Sequence, residues 1–186
     1  PIEAIEFPMI HSGILHLSEH VQTQLINQVQ NSTAGLFVIG SLSDSEEIHN
    51  LSTWISNIGW PIIVDSSSGL RLMNLDNMVL AWEDILTNPP KQFEPDIIIH
   101  LGNGLCSKRY EQWVQTLSCP VWVFNPYPIS SNPSSSPIHR CQVHIKTLDF
   151  LPSYCRKSSL LELIHSHNQR THSLLQNSIY TSFNEI

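Results

Sequence analysis

Four short apolar runs recur along the chain, and each is bounded by glycine, proline or a polar residue. They are Gly35-Leu-Phe-Val-Ile-Gly40, Pro61-Ile-Ile-Val-Asp65, Asp96-Ile-Ile-Ile-His-Leu101 and Pro120-Val-Trp-Val-Phe-Asn125. None of the runs alternates apolar with polar residues, a pattern that is typical of strands covered on both faces, as in a parallel sheet. The runs therefore predict a sheet that is buried between two layers of helices.

Helical patterns occupy the intervals between these runs. Ser43 and Glu46 have the spacing of a capping box, and an apolar stripe follows at Ile48, Leu51, Ile55 and Ile58. Further helices are predicted from about residue 14 to 30, around 76–88, from about 107 to 117, and after Pro152. Three successive strand–helix–strand units indicate parallel strands with right-handed crossovers. The predicted fold is α/β, a three-layer Rossmann-like domain with a mostly parallel sheet of about five or six strands.

The fifth strand is predicted at Cys141–Lys146, where Val143 and Ile145 alternate with polar neighbours in a way that suits a sheet edge. Residues 126–137 are rich in Pro and Ser and predict an exposed loop. Residues 1–32 are interpreted as an interdomain linker and first helix, and residues 33–152 as the Rossmann-like domain. Residues 153–186 are interpreted as a closing helix whose polar tail, Asn177 to Ile186, leads to a domain that is absent here.

Charge and composition exclude several classes of function. Only 9 Lys and Arg stand against 16 Asp and Glu, so the basic stripe that nucleic-acid binding needs is missing. No apolar run approaches the ~20 residues that span a bilayer, and no signal peptide is evident. A cytoplasmic location is expected, or a plastid if the source is photosynthetic. The chain starts at Pro1 without Met, which predicts that the natural N-terminus is missing.

Familiar catalytic and metal-binding motifs are weak or absent in the sequence. The four cysteines form no CxxC pair, so free thiols are expected rather than a zinc site or disulfides. Gly102-Asn-Gly104 follows the third strand and lacks the third glycine of a dinucleotide fingerprint. His100 is interpreted as a satisfied core or sheet-end histidine rather than an acid–base catalyst. The three histidines of the last helix are read as a solvated face, and the five tryptophans as core residues; these are His165, His167, His172, Trp54, Trp60, Trp82, Trp113 and Trp122.

Three of the nine basic residues, Arg71, Lys108 and Arg109, lie on or beside loops that follow predicted strands. In open parallel sheets, ligands bind outside the carboxyl ends of the strands. Two cations in the first turn of a helix oppose its dipole, which favours a nearby negative partner. That partner is either a ligand carboxylate or an acidic side chain, and a solvated basic pair remains an equal alternative.

Residues 35–124 resemble a known enzyme family. The strings are GLFVIGSLSDSEE, LSTWISNIGWPIIVDSSSGLR and PDIIIHLGNGLCSKRYEQW. They are similar to the middle domain of the 2-succinyl-5-enolpyruvyl-6-hydroxy-3-cyclohexene-1-carboxylate synthase family. The likeness continues more loosely to SFNEI at the end of the chain, whereas IEFPMIHSGILHL and the loop 126–137 match nothing in the family pattern.

The resemblance implies a three-domain transferase of menaquinone or phylloquinone biosynthesis. Such an enzyme uses thiamine diphosphate and Mg²⁺ to decarboxylate 2-oxoglutarate and adds the succinyl unit to isochorismate. The family places its cofactor between the first and third domains of paired subunits. The partners expected here are therefore those two domains and, in the full-length protein, further copies of the same chain. No catalytic residue, cofactor or metal is expected on this domain, which is expected to be inactive alone.

The family's SKR pattern matches Ser107, Lys108 and Arg109, which the resemblance places facing the active-site cleft. Arg71 matches the arginine of its SGLR loop. Cations at a strand edge would steer and orient multiply carboxylated substrates. Two rival hypotheses remain: a nucleotide-binding Rossmann-like module, and a purely structural domain whose basic edge forms interdomain salt bridges.

Overall fold

The computed structural model describes the backbone and side chains of residues 16–42, 48, 51, 54–55, 58–73, 75–127, 138–148, 151–152 and 157–177, and the backbone alone of 178–184. Several predicted features lie outside these residues. They are the capping box of Ser43 and Glu46, most of the Pro- and Ser-rich loop, and Cys155.

Five strands form one sheet in the order β2-β1-β3-β4-β5, and every neighbouring pair is parallel. The predicted α/β class and parallel sheet are confirmed. The strands are β1 (Gly35–Ile39), β2 (Ile62–Val64), β3 (Ile97–Leu101), β4 (Val121–Phe124) and β5 (Ile138–Cys141).

Helices cover both faces of the sheet, as the unbroken apolar runs predict. On one face, α1 (Glu19–Asn31) and the helical residues between β1 and β2 share a core with Phe37, Ile62 and Ile99. On the other face, three helices share a core with Leu36, Ile63 and Ile98. These helices are α2 (Trp82–Thr87), α3 (Lys108–Val114) and α4 (Leu160–Asn184).

The predicted second helix and the tryptophan core are supported wherever residues are described. Ile48, Leu51, Ile55 and Ile58 are helical, and the last three are buried. Trp60, Trp82, Trp113 and Trp122 are also buried, and Trp54 packs against the first core.

The prediction of the fifth strand was wrong in position. The strand is Ile138–Cys141, not Cys141–Lys146, and it pairs with β4. His139 stacks on Trp122, with ring centroids 4.1 Å apart. Val143 and Ile145 are both buried in the first core, and a 3-10 turn forms at Ile145–Thr147. Their alternation therefore reflects a turn that inserts two apolar side chains into the core, rather than the two faces of a strand.

The predicted helix around 76–88 begins later, at Trp82. Met78 forms an isolated bridge with Ile62 instead, and Ala81 has a positive φ of 46°. The backbone therefore turns at Ala81, and only the following residues are helical. At the other end of the chain, the backbone is helical through Asn184, so α4 includes most of the tail that was interpreted as a connection. Among the described helices, none is long and apolar enough to cross a membrane.

The amino edge of the sheet is held together by Asp96. Its carboxylate accepts hydrogen bonds from the Ser32 hydroxyl, the Thr33 amide (2.7 Å) and the Ala34 amide (3.0 Å). These bonds tie the joint between α1 and β1 to the start of β3, so the neighbouring strands β1 and β3 are fixed together at their amino ends.

Candidate functional site

The strand order places a topological switch point between β1 and β3. The chain leaves β1 to one side to build β2 and later returns to the other side as β3. In sheets of this order, ligands bind in the crevice that opens at the switch point, outside the carboxyl ends of the strands. A ligand site is therefore expected first in that crevice.

Backbone packing closes this crevice in the present chain. The Gly40 amide donates to the Leu101 carbonyl at 2.9 Å, and the Asn103 amide donates to the Ser41 carbonyl at 3.0 Å. A Cβ atom on Gly40 would overlap the Asn103 carbonyl oxygen. Among the described residues, Gly40 and the loop after β3 are thus in direct backbone contact at the switch point. We call the contact between residues 40–41 and 101–103 the closed junction.

His100 supports the closed junction from inside the sheet. Its Nε2 lies 3.0 Å from the Asn103 carbonyl oxygen and its Nδ1 lies 3.2 Å from the Tyr110 hydroxyl. A carbonyl can only accept, so Nε2 carries the proton and Nδ1 accepts from Tyr110. Burial lowers the pKa of His100 to about 4, although the bond to Asn103 opposes the shift. A neutral, fully bonded ring fits the predicted structural role.

An open cleft lies beside the closed junction, next to β2. Its volume is about 450 Å³, and it lies between the loop after β2, the start of α2 and the loop before α3. Because the closed junction leaves little room, this cleft is the candidate site at the carboxyl edge. Its lining residues are Asp65, Ser66, Arg71, Ala81, Trp82, Glu83, Asp84, Cys106 and Ser107.

Asp65 links two of these loops. Its Oδ1 accepts from the Ser67 amide (2.9 Å) and hydroxyl (2.6 Å), and its Oδ2 accepts from the Cys106 amide at 3.0 Å. Burial raises the pKa of the Asp65 carboxyl, but hydrogen bonds from Ser67 and Cys106 outweigh it and hold the pKa below its usual value. The buried carboxylate therefore organises the cleft wall. Asp65 was not predicted as a site residue, although an aspartate before Ser66-Ser67 is a signal for a local turn.

Arg71 is the basic residue that lines the cleft. Its Nη1 donates to the Val64 carbonyl at 3.2 Å, while the side chain remains exposed. The same carbonyl accepts a hydrogen bond from Trp82 Nε1, also at 3.2 Å. One carbonyl at the end of β2 thus fixes both Arg71 and the first turn of α2. The remaining guanidinium donors of Arg71 have no acceptor among the described residues.

Lys108 and Arg109 lie at the rim rather than in the cleft. Both are exposed in the first turn of α3, directly after Ser107, which caps the helix by accepting from the Arg109 amide at 3.3 Å. Arg109 Nη1 lies 3.7 Å from Glu83 Oε2 on α2. The acidic side-chain partner that the helix start favours is therefore present for Arg109. Of the three predicted cations, the structure thus places Arg71 in the cleft and Lys108 and Arg109 beside its Ser107 wall.

The cleft does not fit a resident Mg²⁺ or diphosphate. Magnesium prefers carboxylate and water oxygens, but the buried Asp65 carboxylate already accepts three hydrogen bonds. The exposed carboxylates of Glu83 and Asp84 also line the wall, against the single cation of Arg71. The described residues at this edge therefore supply neither a metal-ligand set nor a phosphate cradle.

Comparisons with known proteins identify the family of this chain. The chain matches the family described as "Middle domain of thiamine pyrophosphate" over residues 8–186. It is 28% identical over 98 residues to the 2-succinyl-5-enolpyruvyl-6-hydroxy-3-cyclohexene-1-carboxylate synthase of Microcystis aeruginosa, covering 50% of this chain and 17% of that protein. It is 23% identical over 100 residues to the Staphylococcus aureus synthase, covering 54% and 18%.

A plant relative is Protein PHYLLO, chloroplastic, of Arabidopsis thaliana, which is 24% identical over 135 residues, 66% of this chain and 8% of that protein. The matched part of the chain spans about a fifth or less of the length of these curated relatives. The family match, by contrast, extends over nearly all of the chain. The chain therefore belongs to the family of middle domains of thiamine pyrophosphate enzymes.

Proposed function

We propose that this chain is the middle domain of a thiamine-diphosphate-dependent synthase that decarboxylates 2-oxoglutarate and adds the succinyl unit to isochorismate. In this proposal the domain is an interdomain scaffold that also orients substrate carboxylates, while cofactor and Mg²⁺ are held by other domains. The named relatives and the SGLR and SKR matches at Arg71, Lys108 and Arg109 support it.

The observation that carries the substrate role is the geometry of Arg71. Its guanidinium is tethered to a backbone carbonyl through Nη1 and lines an open cleft at the carboxyl edge. A planar guanidinium can bind a carboxylate through two parallel hydrogen bonds, and tethering reduces the entropy that such binding would otherwise lose. Lys108 and Arg109 at the rim would add attraction for dianionic substrates before they reach the cleft.

The test is charge removal in the enzyme that contains this domain. Arg71→Gln, Lys108→Gln and Arg109→Gln should each raise KM for 2-oxoglutarate or isochorismate about three- to tenfold, since one hydrogen bond to a charged group contributes roughly 1 kcal/mol or more. The control is Lys91→Gln, because Lys91 lies in a different groove beside the start of β3. Unchanged KM values in all three variants would reject the substrate role.

A purely structural role, in which the basic edge forms interdomain salt bridges, is the second candidate, and the contact between Arg109 and Glu83 shows that one of these cations can bind a protein carboxylate. That pair joins α2 to α3 without any ligand. Under this alternative, the charge variants would lower the stability of the enzyme that contains this domain while KM stayed constant. The nucleotide-binding rival is disfavoured by the closed junction. Titration of the chain with NAD, FAD and thiamine diphosphate tests it, and tight binding of NAD or FAD would support that rival against our proposal.

A further inference from the structure

The cleft contains an acidic residue that the substrate role does not use. Glu83 lies in the wall that also holds Arg71, and its carboxylate points to the Arg109 guanidinium at the rim. A carboxylate beside a proposed carboxylate-binding cation is a competitor for it. If Arg109 binds a substrate carboxylate, that carboxylate must therefore displace Glu83.

The contact is loose enough to be exchanged. The separation of 3.7 Å between Nη1 and Oε2 is longer than a hydrogen bond, and the two side chains are 51% and 49% exposed. Exposed pairs of this kind contribute little stability, because water and salt screen them. An incoming carboxylate with better geometry could replace Glu83 at small cost.

The position of Glu83 is nevertheless fixed by its surroundings. Trp82 is buried and donates to the Val64 carbonyl, and Ala81 turns the chain immediately before the helix. The backbone of Glu83 thus lies at a set place in the first turn of α2, and its side chain faces Arg109 on α3. Since the Val64 carbonyl also tethers Arg71, Arg71 and the first turn of α2 that carries Glu83 are positioned from the same atom.

We propose that Glu83 is a specificity-setting residue, an internal carboxylate that occupies Arg109 until a substrate carboxylate displaces it. Arg71 is available to any ligand carboxylate, whereas Arg109 binds only a ligand carboxylate that displaces Glu83. The pair would weaken binding of dianions more than binding of monoanions, because a second carboxylate must displace Glu83 to reach Arg109, whereas a single carboxylate binds Arg71 alone. This inference rests on the proposed substrate role of the basic edge.

The test is a double-mutant cycle on Glu83 and Arg109 in the enzyme that contains this domain. Glu83→Gln should lower KM for 2-oxoglutarate about two- to fivefold, with kcat unchanged, and succinate as a dianionic competitive probe should gain more affinity than the monoanion pyruvate. In the Arg109→Gln background, the same Glu83→Gln change should have no effect on KM. Thermal unfolding of the chain, followed in parallel, should shift by no more than about 2 °C, since the pair is exposed.

Asp84→Asn is the matched control. Asp84→Asn removes the same charge from the same wall one residue away, and Asp84 has no ion pair among the described residues. An equal decrease of KM in both variants would show a general charge effect and would overturn the specific role of Glu83. If Arg109→Gln raises KM but Glu83→Gln changes nothing, the inference fails and the proposed function stands. If Arg109→Gln itself leaves KM unchanged, the substrate role of Arg109 fails as well.

Discussion

Two neighbouring regions of the carboxyl edge differ sharply in how they are built. At the closed junction, backbone amides and carbonyls of residues 40–41 and 101–103 bond directly to each other. At the cleft beside β2, the loops are held apart and connected through side chains, chiefly Asp65 and Arg71. The comparison shows how a Rossmann-like sheet can lose its usual crevice and keep an open site one strand away.

The largest loss of stability is expected from a substitution that forces the closed junction open. Gly40→Ala introduces a Cβ where the Asn103 carbonyl lies, so the backbone of one loop must move. We expect the free energy of unfolding to fall by ~4 kcal/mol, above the usual cost of overpacking because backbone rather than a side chain is displaced. Urea unfolding of the chain measures it. Ser41→Ala, which leaves the backbone path unchanged, should be close to neutral, and equal losses in both variants would contradict the packing argument.

A second test uses the buried ring that supports the same junction. The pKa of His100 falls from 6.5 to about 4 on folding, so between these pH values the unfolded chain binds a proton that the folded chain excludes. Above pH 6.5 the group adds no pH dependence, and as pH falls toward 4 it should destabilise the fold by up to roughly 3 kcal/mol.

His100→Gln cannot take up this proton. The variant should be less stable at pH 7, yet its free energy of unfolding should depend less steeply on pH between 6.5 and 4. Carboxylates contribute equally to both proteins and cancel in the comparison. Parallel pH profiles for the variant and the parent chain would reject the assignment of a neutral buried ring.

A substitution in the cleft should reduce the free energy of unfolding by a smaller amount, because it removes hydrogen bonds at one side chain without displacing the backbone. In Asp65→Asn, one accepting carboxylate oxygen becomes an NH2 group that cannot accept, so either Ser67 or Cys106 loses its hydrogen-bond acceptor. We expect a loss of about 2 kcal/mol in the free energy of unfolding at pH 7. Amide hydrogen exchange should accelerate at Cys106, and the exposed Asp76→Asn serves as the control.

The pH dependence sharpens the same prediction. The pKa of Asp65 is lowered in the folded chain, so its contribution to stability is present above the usual value of 3.8 and is lost as pH falls through the lower folded value. The difference between Asp65→Asn and the parent chain should therefore shrink in acid. A constant difference down to about pH 2 would contradict the assignment of a charged carboxylate.

The parallel sheet could be predicted from the sequence because strands that are buried on both faces are continuous apolar runs. Apolar residues occupy every position of β1, β2 and β4, with no alternation to misread. The fifth strand was misplaced because Val143 and Ile145 are buried for another reason, as part of a turn against the core. Local alternation cannot distinguish these two ways of burying a side chain.

The site was only partly accessible to the same reasoning. Arg71 could be found because a cation followed a predicted strand end, and it does line the cleft. The roles of Asp65 and Glu83 could not be found, because each depends on a residue far away in the sequence, Cys106 or Arg109. Contacts between separate loops are set by the relative placement of helices, which one sequence does not encode in any short pattern.

The carboxylate of Asp96, which ties the start of β3 to the joint before β1, has a kinetic consequence. Its partner Ala34 is 62 residues away in the chain, so the central strand pair closes a long loop. Closing such a loop costs conformational entropy before the contacts can compensate for it, and domains with distant pairings fold slowly. Refolding should therefore be limited by the meeting of β1 and β3.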